Sequence, residues 1–335
     1  MMCLYPMAAY KLKDGSMKFC GRWMDDIHGV FDPEIEYVQI PCGQCFECRM
    51  AKARMWACRM SAEASTCVEN YFVTLTYDDE HLPIGYSVDS ETGEAFQTAT
   101  LCKDDVQRWM KRLRKSAAAS GRVEKPDVGI RFYLVGEYGD VGNRPHYHVC
   151  LFGIKLLDDL QEPSLTKSGF AQYVSPFLES TWKLGRLRVS RFGFESAGYV
   201  ARYTLKKQTG DAAKSYAELG ILSPFSLMSR RPGIGREYFE KHKDELYRYD
   251  KMSVPTQDGA LSLSLPTYYD NLYKKVDEVR LTDLKKKRVR LARSRHRFRS
   301  VRTNLFVLDE TDFKAYEAKR KSELLFRPGD VHKNF

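Results

Sequence analysis

Two histidines one residue apart, His146 and His148, stand in the run RPHYHVCLFG at 144–153, whose apolar and aromatic content reads as a β-strand. Side chains alternate across a strand, so both imidazoles share one face while Tyr147 and Val149 take the other. Two imidazoles on one face can share a cation. Glu137 ends the preceding strand-like run IRFYLVGEYG (130–139), and the short polar loop between the runs returns it beside His146 and His148. Two neutral imidazoles and one carboxylate leave positions open for water or phosphate oxygens, as a Lewis-acid site requires. A mixed nitrogen and oxygen set tolerates Mg²⁺ or Mn²⁺, and Mn²⁺ suits imidazole better. The alternative is a pair of surface histidines on an ordinary strand.

A second cluster follows in GYVARYTLKK (198–207), which has helical periodicity. Tyr199 and Tyr203 are four residues apart and share a face, and Lys206, three further on, lies near the same stripe. A phenol with an ordinary pKa of about 10 is a poor nucleophile at neutral pH. It needs a metal-polarised phosphate or a nearby cation, and Lys206 would stabilise the charge that develops. Without the histidines, the same tyrosines would read as core residues of an amphipathic helix.

Cysteine supplies a third constellation. Cys42-x-x-Cys45-x-x-Cys48 places three thiols within seven residues at the entrance of a helix expected over 41–65, where the dipole favours thiolates. A fourth ligand from Cys3, Cys20, Cys58 or a histidine would make a structural Zn²⁺ site. We assign the set Cys3, Cys42, Cys45 and Cys48, with plain buried thiols as the other reading. Nine cysteines, an odd number, in a chain of 335 residues without a secretory signal argue against a disulfide framework.

The charge is concentrated. KKKRVRLARSRHRFRSVR (285–302) holds three Lys and seven Arg and no acid; without these ten, 44 basic residues face 44 acidic ones, so the whole formal excess of +10 lies here. Such a block binds phosphates without reading bases. Lys285, Lys286, Lys287, Arg288, Arg290, Arg293, Arg295, Arg297 and Arg299 are therefore assigned to DNA backbone contact. Trp109, Arg108, Lys111 and Arg112 are candidates for a second basic surface on a helix.

These residues must be positioned by a fold. YFVTLTY (71–77), 130–139, 146–153 and LRVSRF (187–192) read as strands; KDDVQRWMKRLRKSAAAS (103–120) and 195–208 read as helices. Strands and helices mix without a strict βαβ rhythm, which predicts an α+β fold with a central antiparallel sheet flanked by helices. Three regions are expected: a Cys-rich N-terminal segment (1–66) packing on the rest, a catalytic domain (67–210), and a helical, basic C-terminal region (211–335). With 43% apolar residues and 13% aromatics the chain can bury a real core. No run approaches the length of a membrane span, so a cytoplasmic location and no membrane partner are expected. No Gly-x-x-x-x-Gly-Lys-Ser/Thr loop occurs, so no nucleotide cofactor is expected.

Taken in order, FVTLTY, the GEYG…NRPHYHVCLFG hairpin and AGYVARYTLKK resemble the three motifs of the HUH endonucleases, which have a ferredoxin- or RRM-like palm. With the opening MCLYP and the segment IPCGQCFECR, the chain more closely resembles the replication initiation proteins of gokushovirus-type microviruses, over roughly residues 2–208. The resemblance implies a rolling-circle initiator in the host bacterial cytoplasm. It would nick single-stranded origin DNA or the replicative form and rejoin the strand to release circles. His146, His148 and Glu137 would bind the divalent metal, and Tyr203, in Tyr-x-x-Lys, or the extra Tyr199 would form a 5′-phosphotyrosine. Host helicase and polymerase would be partners. Competing readings are a non-catalytic single-stranded DNA-binding or packaging protein that uses the basic tail, and a relaxase or transposase of the same fold.

Overall fold

The computed structural model describes residues 3, 7–12, 16–22, 37–88, 93–139, 142–166, 171–206, 216–256 and 259–303. These fall into two compact units, one holding the described residues up to Lys52 and from Leu291 onward, the other Ala53–Arg290.

In the first unit, Met7–Lys11 (β1), Met17–Arg22 (β2) and Tyr37–Ile40 (β3) form an antiparallel sheet in the order β2-β1-β3. Met7 pairs with Ile40, so the residue before β1 and the turn after β3 lie at the same end of the sheet. That turn passes through Gly43 at φ 74°, a left-handed conformation that glycine adopts without a Cβ clash, before helix Phe46–Ala64 (α1) begins.

The second unit is organised by alternation. In Asn70–Thr76 (β4), Tyr71, Val73 and Leu75 are buried while the residues between them are half-exposed, the period-2 pattern that YFVTLTY predicts. A hairpin follows, Ile84–Val88 (β5) with Ala95–Ala99 (β6), and then helix Lys103–Ala119 (α2). Val106, Trp109, Met110, Leu113 and Ala117 form its buried stripe, and Asp104 and Asp105 in the first turn complement the helix dipole. Trp109 is fully buried, with Nε1 donating to Thr181 Oγ1 at 3.0 Å, and Arg112 donates to the carbonyls of Thr181 and Trp182. The expectation of a second basic surface therefore fails for these two residues: core packing and main-chain bonds use them.

Strands Arg131–Tyr138 (β7), Pro145–Phe152 (β8), Gln161–Leu165 (β9) and Ala171–Val174 (β10) precede helix Pro176–Trp182 (α3). Leu187–Arg191 (β11), helix Phe194–Lys206 (α4) and Phe225–Met228 (β12) complete the sheet region. Helix Arg236–Tyr249 (α5), the hairpin of Met252–Thr256 (β13) with Gly259–Leu263 (β14), helix Thr267–Tyr273 (α6) and helix Glu278–Thr303 (α7) follow.

The main sheet has seven strands in the order β12-β7-β8-β4-β11-β10-β9, and every neighbouring pair is antiparallel. The fold is α+β, as expected. One face of the sheet packs Val73, Leu75, Tyr147, Val149 and Leu151 against α2 and α3. On the other, Tyr133, Val135, Cys150 and Phe152 lie in a core with residues of α1, α4, α5 and α6. A buried ion pair ties α1 to the sheet on this side: Arg131 Nε donates to Glu63 Oε1 at 3.1 Å, and Glu63 Oε2 accepts from the Gly235 amide.

Candidate active site

Strand pairing collects residues that are distant in sequence. Glu137 stands opposite His146 across β7 and β8, and β4 on the other side of β8 sets Thr76 opposite His146 and Thr74 opposite His148. Residues directly opposite in a sheet project to the same face, so Glu137, His146, His148, Thr74 and Thr76 share one. On the opposite face, the glycine before Glu137 meets Tyr147: a Cβ at Gly136 would sit 3.0 Å from the ring.

The three expected metal ligands converge. Glu137 Oε1 lies 2.9 Å from His146 Nε2 and 3.1 Å from His148 Nε2. Glu137 and His148 are buried, at 3% and 6% exposure, while His146 is partly open. The far nitrogens are anchored, His146 Nδ1 by the Arg144 carbonyl and His148 Nδ1 by Thr74 Oγ1, each at 3.1 Å. A carbonyl only accepts, so His146 Nδ1 carries the proton and Nε2 of the neutral ring presents its lone pair to the carboxylate. Two acceptors 2.9 Å apart require a positive charge between them, either a shared proton or a metal cation. Burial alone would raise the Glu137 pKa, but hydrogen bonds and attraction from His146 and His148 outweigh it and hold it at about 2. The carboxylate is ionised at neutral pH, and the anchored ring nitrogens match the outer support that metal-ligating histidines use. This donor set fits a divalent cation.

Helix α4 brings a phenol to the same place. The Tyr199 ring meets His148 edge-on at 5.3 Å between centroids, and Phe72 stacks on the same imidazole, also at 5.3 Å. Tyr199 is 40% exposed, so it is reachable from solvent. Tyr203 and Lys206 belong to the same helix, but their side chains lie outside the described residues. Among the cations, Arg188 pairs with Thr74 across β4 and β11 and is exposed on the site's face, two strands from His148.

Sequence reasoning missed Thr74, Phe72, Arg188 and the Arg144 carbonyl as parts of this site. Alternation already put Thr74 and Thr76 on one face; what no local signal carries is the pairing of β4 with β8, across more than 70 residues of chain.

The cysteines assigned together do come together: the Sγ atoms of Cys3, Cys42, Cys45 and Cys48 lie within 4.8 Å of one another. Cys58 belongs to the core around α1 and α4 instead, and the Cys20 side chain is outside the described residues. In the basic block, Lys285, Lys286, Lys287 and Arg290 are exposed on α7. Arg288 is not free for phosphate: it donates to Asp250 and to Asp270, reaching Asp270 Oδ2 at 2.6 Å. The side chains of Arg293, Arg295, Arg297 and Arg299 lie outside the described residues. No described helix is long and apolar enough to cross a membrane.

Comparison with known proteins places this geometry in a class. A family model described as replication-associated protein ORF2 matches residues 70–208, the stretch from β4 through α4 that carries the whole Glu-His-His-Tyr group. Over 299 residues the chain is 30% identical to replication-associated protein ORF2 of Spiroplasma virus 4, covering 88% of this chain and 87% of that protein. It is 30% identical over 246 residues to replication-associated protein VP4 of Bdellovibrio phage phiMH2K, covering 72% and 70%. Replication-associated protein ORF4 of Chlamydia phage 1 is 32% identical over 171 residues, half of this chain and 38% of that protein. No solved structure matches the chain. The chain belongs to the replication-associated protein family of the Microviridae.

Proposed function

We propose that this protein starts rolling-circle replication of a small phage genome by nicking single-stranded origin DNA, and later rejoins the strand. The observation that carries the reading is the Glu137 carboxylate set between two Nε2 atoms whose opposite nitrogens are anchored, with the Tyr199 phenol against His148. Membership of a family of replication-associated proteins supports it.

Glu137, His146 and His148 would hold Mg²⁺ or Mn²⁺, which when bound polarises the scissile phosphate. Tyr199 or Tyr203 supplies the nucleophilic oxygen. The new bond joins that oxygen to phosphorus, the bond to the 3′ oxygen breaks, and the phenolic proton leaves with solvent while a proton from solvent completes the 3′-hydroxyl. One phosphodiester is exchanged for another, so no nucleotide cofactor is required and the reverse step rejoins the strand. Lys206 would stabilise the charge that develops on the phosphate oxygens. Host polymerase would extend the 3′-hydroxyl and a host helicase would unwind, in the host bacterial cytoplasm. Arg188 and the exposed Lys285, Lys286, Lys287 and Arg290 would hold phosphates of the strand.

The test is incubation of the full chain with a labelled single-stranded origin oligonucleotide and Mn²⁺, followed by a denaturing gel. A covalent protein–DNA band is expected, lost with EDTA and in the Tyr199→Phe, Tyr203→Phe double variant. Salt-sensitive binding with no covalent band on any origin strand would overturn the enzymatic reading in favour of a DNA-binding or packaging role.

A further inference from the structure

The Cys3, Cys42, Cys45 and Cys48 group has no part in the nicking reading and lies in the first unit, with the three-stranded sheet. Cys3 Sγ is 3.8 Å from Cys45 Sγ, and all four sulfurs fall within 4.8 Å. A disulfide needs sulfurs about 2.0 Å apart, so the four are separate thiols gathered at one point. Four sulfurs at about 2.3 Å from one central ion form a tetrahedron with edges of about 3.8 Å. The Cys3–Cys45 separation matches that edge. An iron–sulfur cluster would place iron and sulfide between the ligands and hold the thiolates further apart than neighbours on one ion.

The backbone is arranged around the sulfurs as well. The Cys42 amide donates to Cys3 Sγ at 3.2 Å and the Cys45 amide to Cys42 Sγ at 3.3 Å, bonds that spread negative charge from thiolate sulfur into the main chain. Cys45 and Cys48 flank the first residues of α1, where the helix dipole favours negative charge, and Arg49, Lys52 and Arg54 follow in sequence.

We propose that these four cysteines form a closed, mononuclear Zn²⁺ site that clamps the start of the chain to the turn between β3 and α1. Zinc binds as four protons leave the thiols, and no electron is transferred. With four protein ligands the ion keeps no open position, so its role is structural. Cys3 precedes β1, Cys42 follows β3, and pairing of β1 with β3 has already brought those two ends together. The ion would then fix the register of this small sheet against the first turn of α1.

Metal analysis of the full chain, purified without chelator, tests the proposal, and it stands or falls apart from the nicking reading. One zinc per chain is expected. It should persist in the His146→Ala, His148→Ala double variant and in Cys58→Ser, whose thiol is buried with its pKa pushed up to about 12 by desolvation. It should be lost in Cys42→Ser with Cys45→Ser, and replacement by Co²⁺ should give the thiolate charge-transfer and tetrahedral ligand-field bands. Should the cysteine variants fail to fold, titration of the wild-type chain with an organomercurial provides the readout: zinc release should track the reaction of these thiols. Zinc that stays after the thiols have reacted overturns the proposal. So does substoichiometric zinc without cobalt–thiolate bands, loss of zinc in the histidine variant, or iron with acid-labile sulfide.

Discussion

Thr74→Val is the sharpest probe of the site, because Thr74 acts through His148. Its hydroxyl is 3.1 Å from His148 Nδ1, and it stands opposite His148 in β4. When His148 Nε2 faces a metal, Nδ1 carries the proton and the Thr74 oxygen accepts it, which fixes both tautomer and ring angle. Valine has the same shape and a strong strand preference, so the pairing of β4 with β8 and β11 should persist. The fold should lose about 1 kcal/mol with the hydrogen bond. Orienting partners of metal-bound histidines are worth about 10- to 100-fold in affinity, or about 1.4–2.7 kcal/mol at about 1.4 per decade. Calorimetric titration of the metal-free full chain should therefore show Mn²⁺ affinity falling by one to two orders of magnitude. Thr74→Ser, which restores the hydroxyl, should recover most of it, and saturating Mn²⁺ should return most of the adduct rate in Thr74→Val. Unchanged affinity in Thr74→Val, or an equal loss in Thr74→Ser, would refute the argument that this hydroxyl holds the ligand in place.

Arg188→Ala should weaken single-stranded DNA binding without regard to sequence and make the log–log salt slope shallower by about 0.7, the share of one phosphate on a single strand; fluorescence anisotropy across a salt series measures it, and an unaltered slope removes Arg188 from the contact. Arg288→Ala should lower stability by about 2 kcal/mol, because it strips charged hydrogen bonds from Asp250 and Asp270. Its DNA affinity should fall less than that of a Lys285→Ala, Lys286→Ala, Lys287→Ala triple variant, and the reverse order in a binding assay would show that Arg288 leaves its aspartates for phosphate. Glu63→Ala leaves the Arg131 guanidinium buried at 5% side-chain exposure without its carboxylate. A loss of about 3–5 kcal/mol is expected in urea denaturation, and a loss near zero would mean that the ion pair does not hold α1 to the sheet.

Much of this arrangement is readable in the sequence wherever the signal is local. The pairing of Glu137 with His146 follows from two strand-like runs joined by a short polar loop, since a hairpin allows few registers. The buried stripe of α2 follows from the spacing of Val106, Trp109, Met110 and Leu113. Signals that depend on distant pairing are absent from any window. Thr74 becomes part of the site only through the β4–β8 ladder, and Arg188 only through the β4–β11 ladder beyond it. Choosing Cys3 over Cys58 as the fourth thiol likewise depends on β1 meeting β3. Arg288 looked like its basic neighbours because charge composition does not reveal that two carboxylates 18 and 38 residues earlier face it. Trp109 beside basic residues could serve a core or a surface equally well by type, and the partner that decides it, Thr181, lies on another helix.

The position of the site along its strands bears on how it could work. On one face of β7, β8 and β4, Tyr133, Cys150 and Phe152 lie in the core with α1 and α4, while two residues further along β8 from Cys150 the same face carries His148 and then His146. Same-face residues are about 6.8 Å apart along a strand. The change from packed core to reactive group thus takes place within one such step. His148, with 8% of its side chain exposed, sits at the boundary, stacked on Phe72 and bonded to Thr74, while His146, at 18%, is the more open of the two. Donors held by three paired strands do not have to be ordered by the substrate. Loop-borne donors would lose conformational freedom at the moment of binding, whereas here that ordering is already part of folding the sheet. Stabilising charge on a phosphate in flight depends on dipoles and ligands that need not reorganise, and a core-backed strand end meets that requirement.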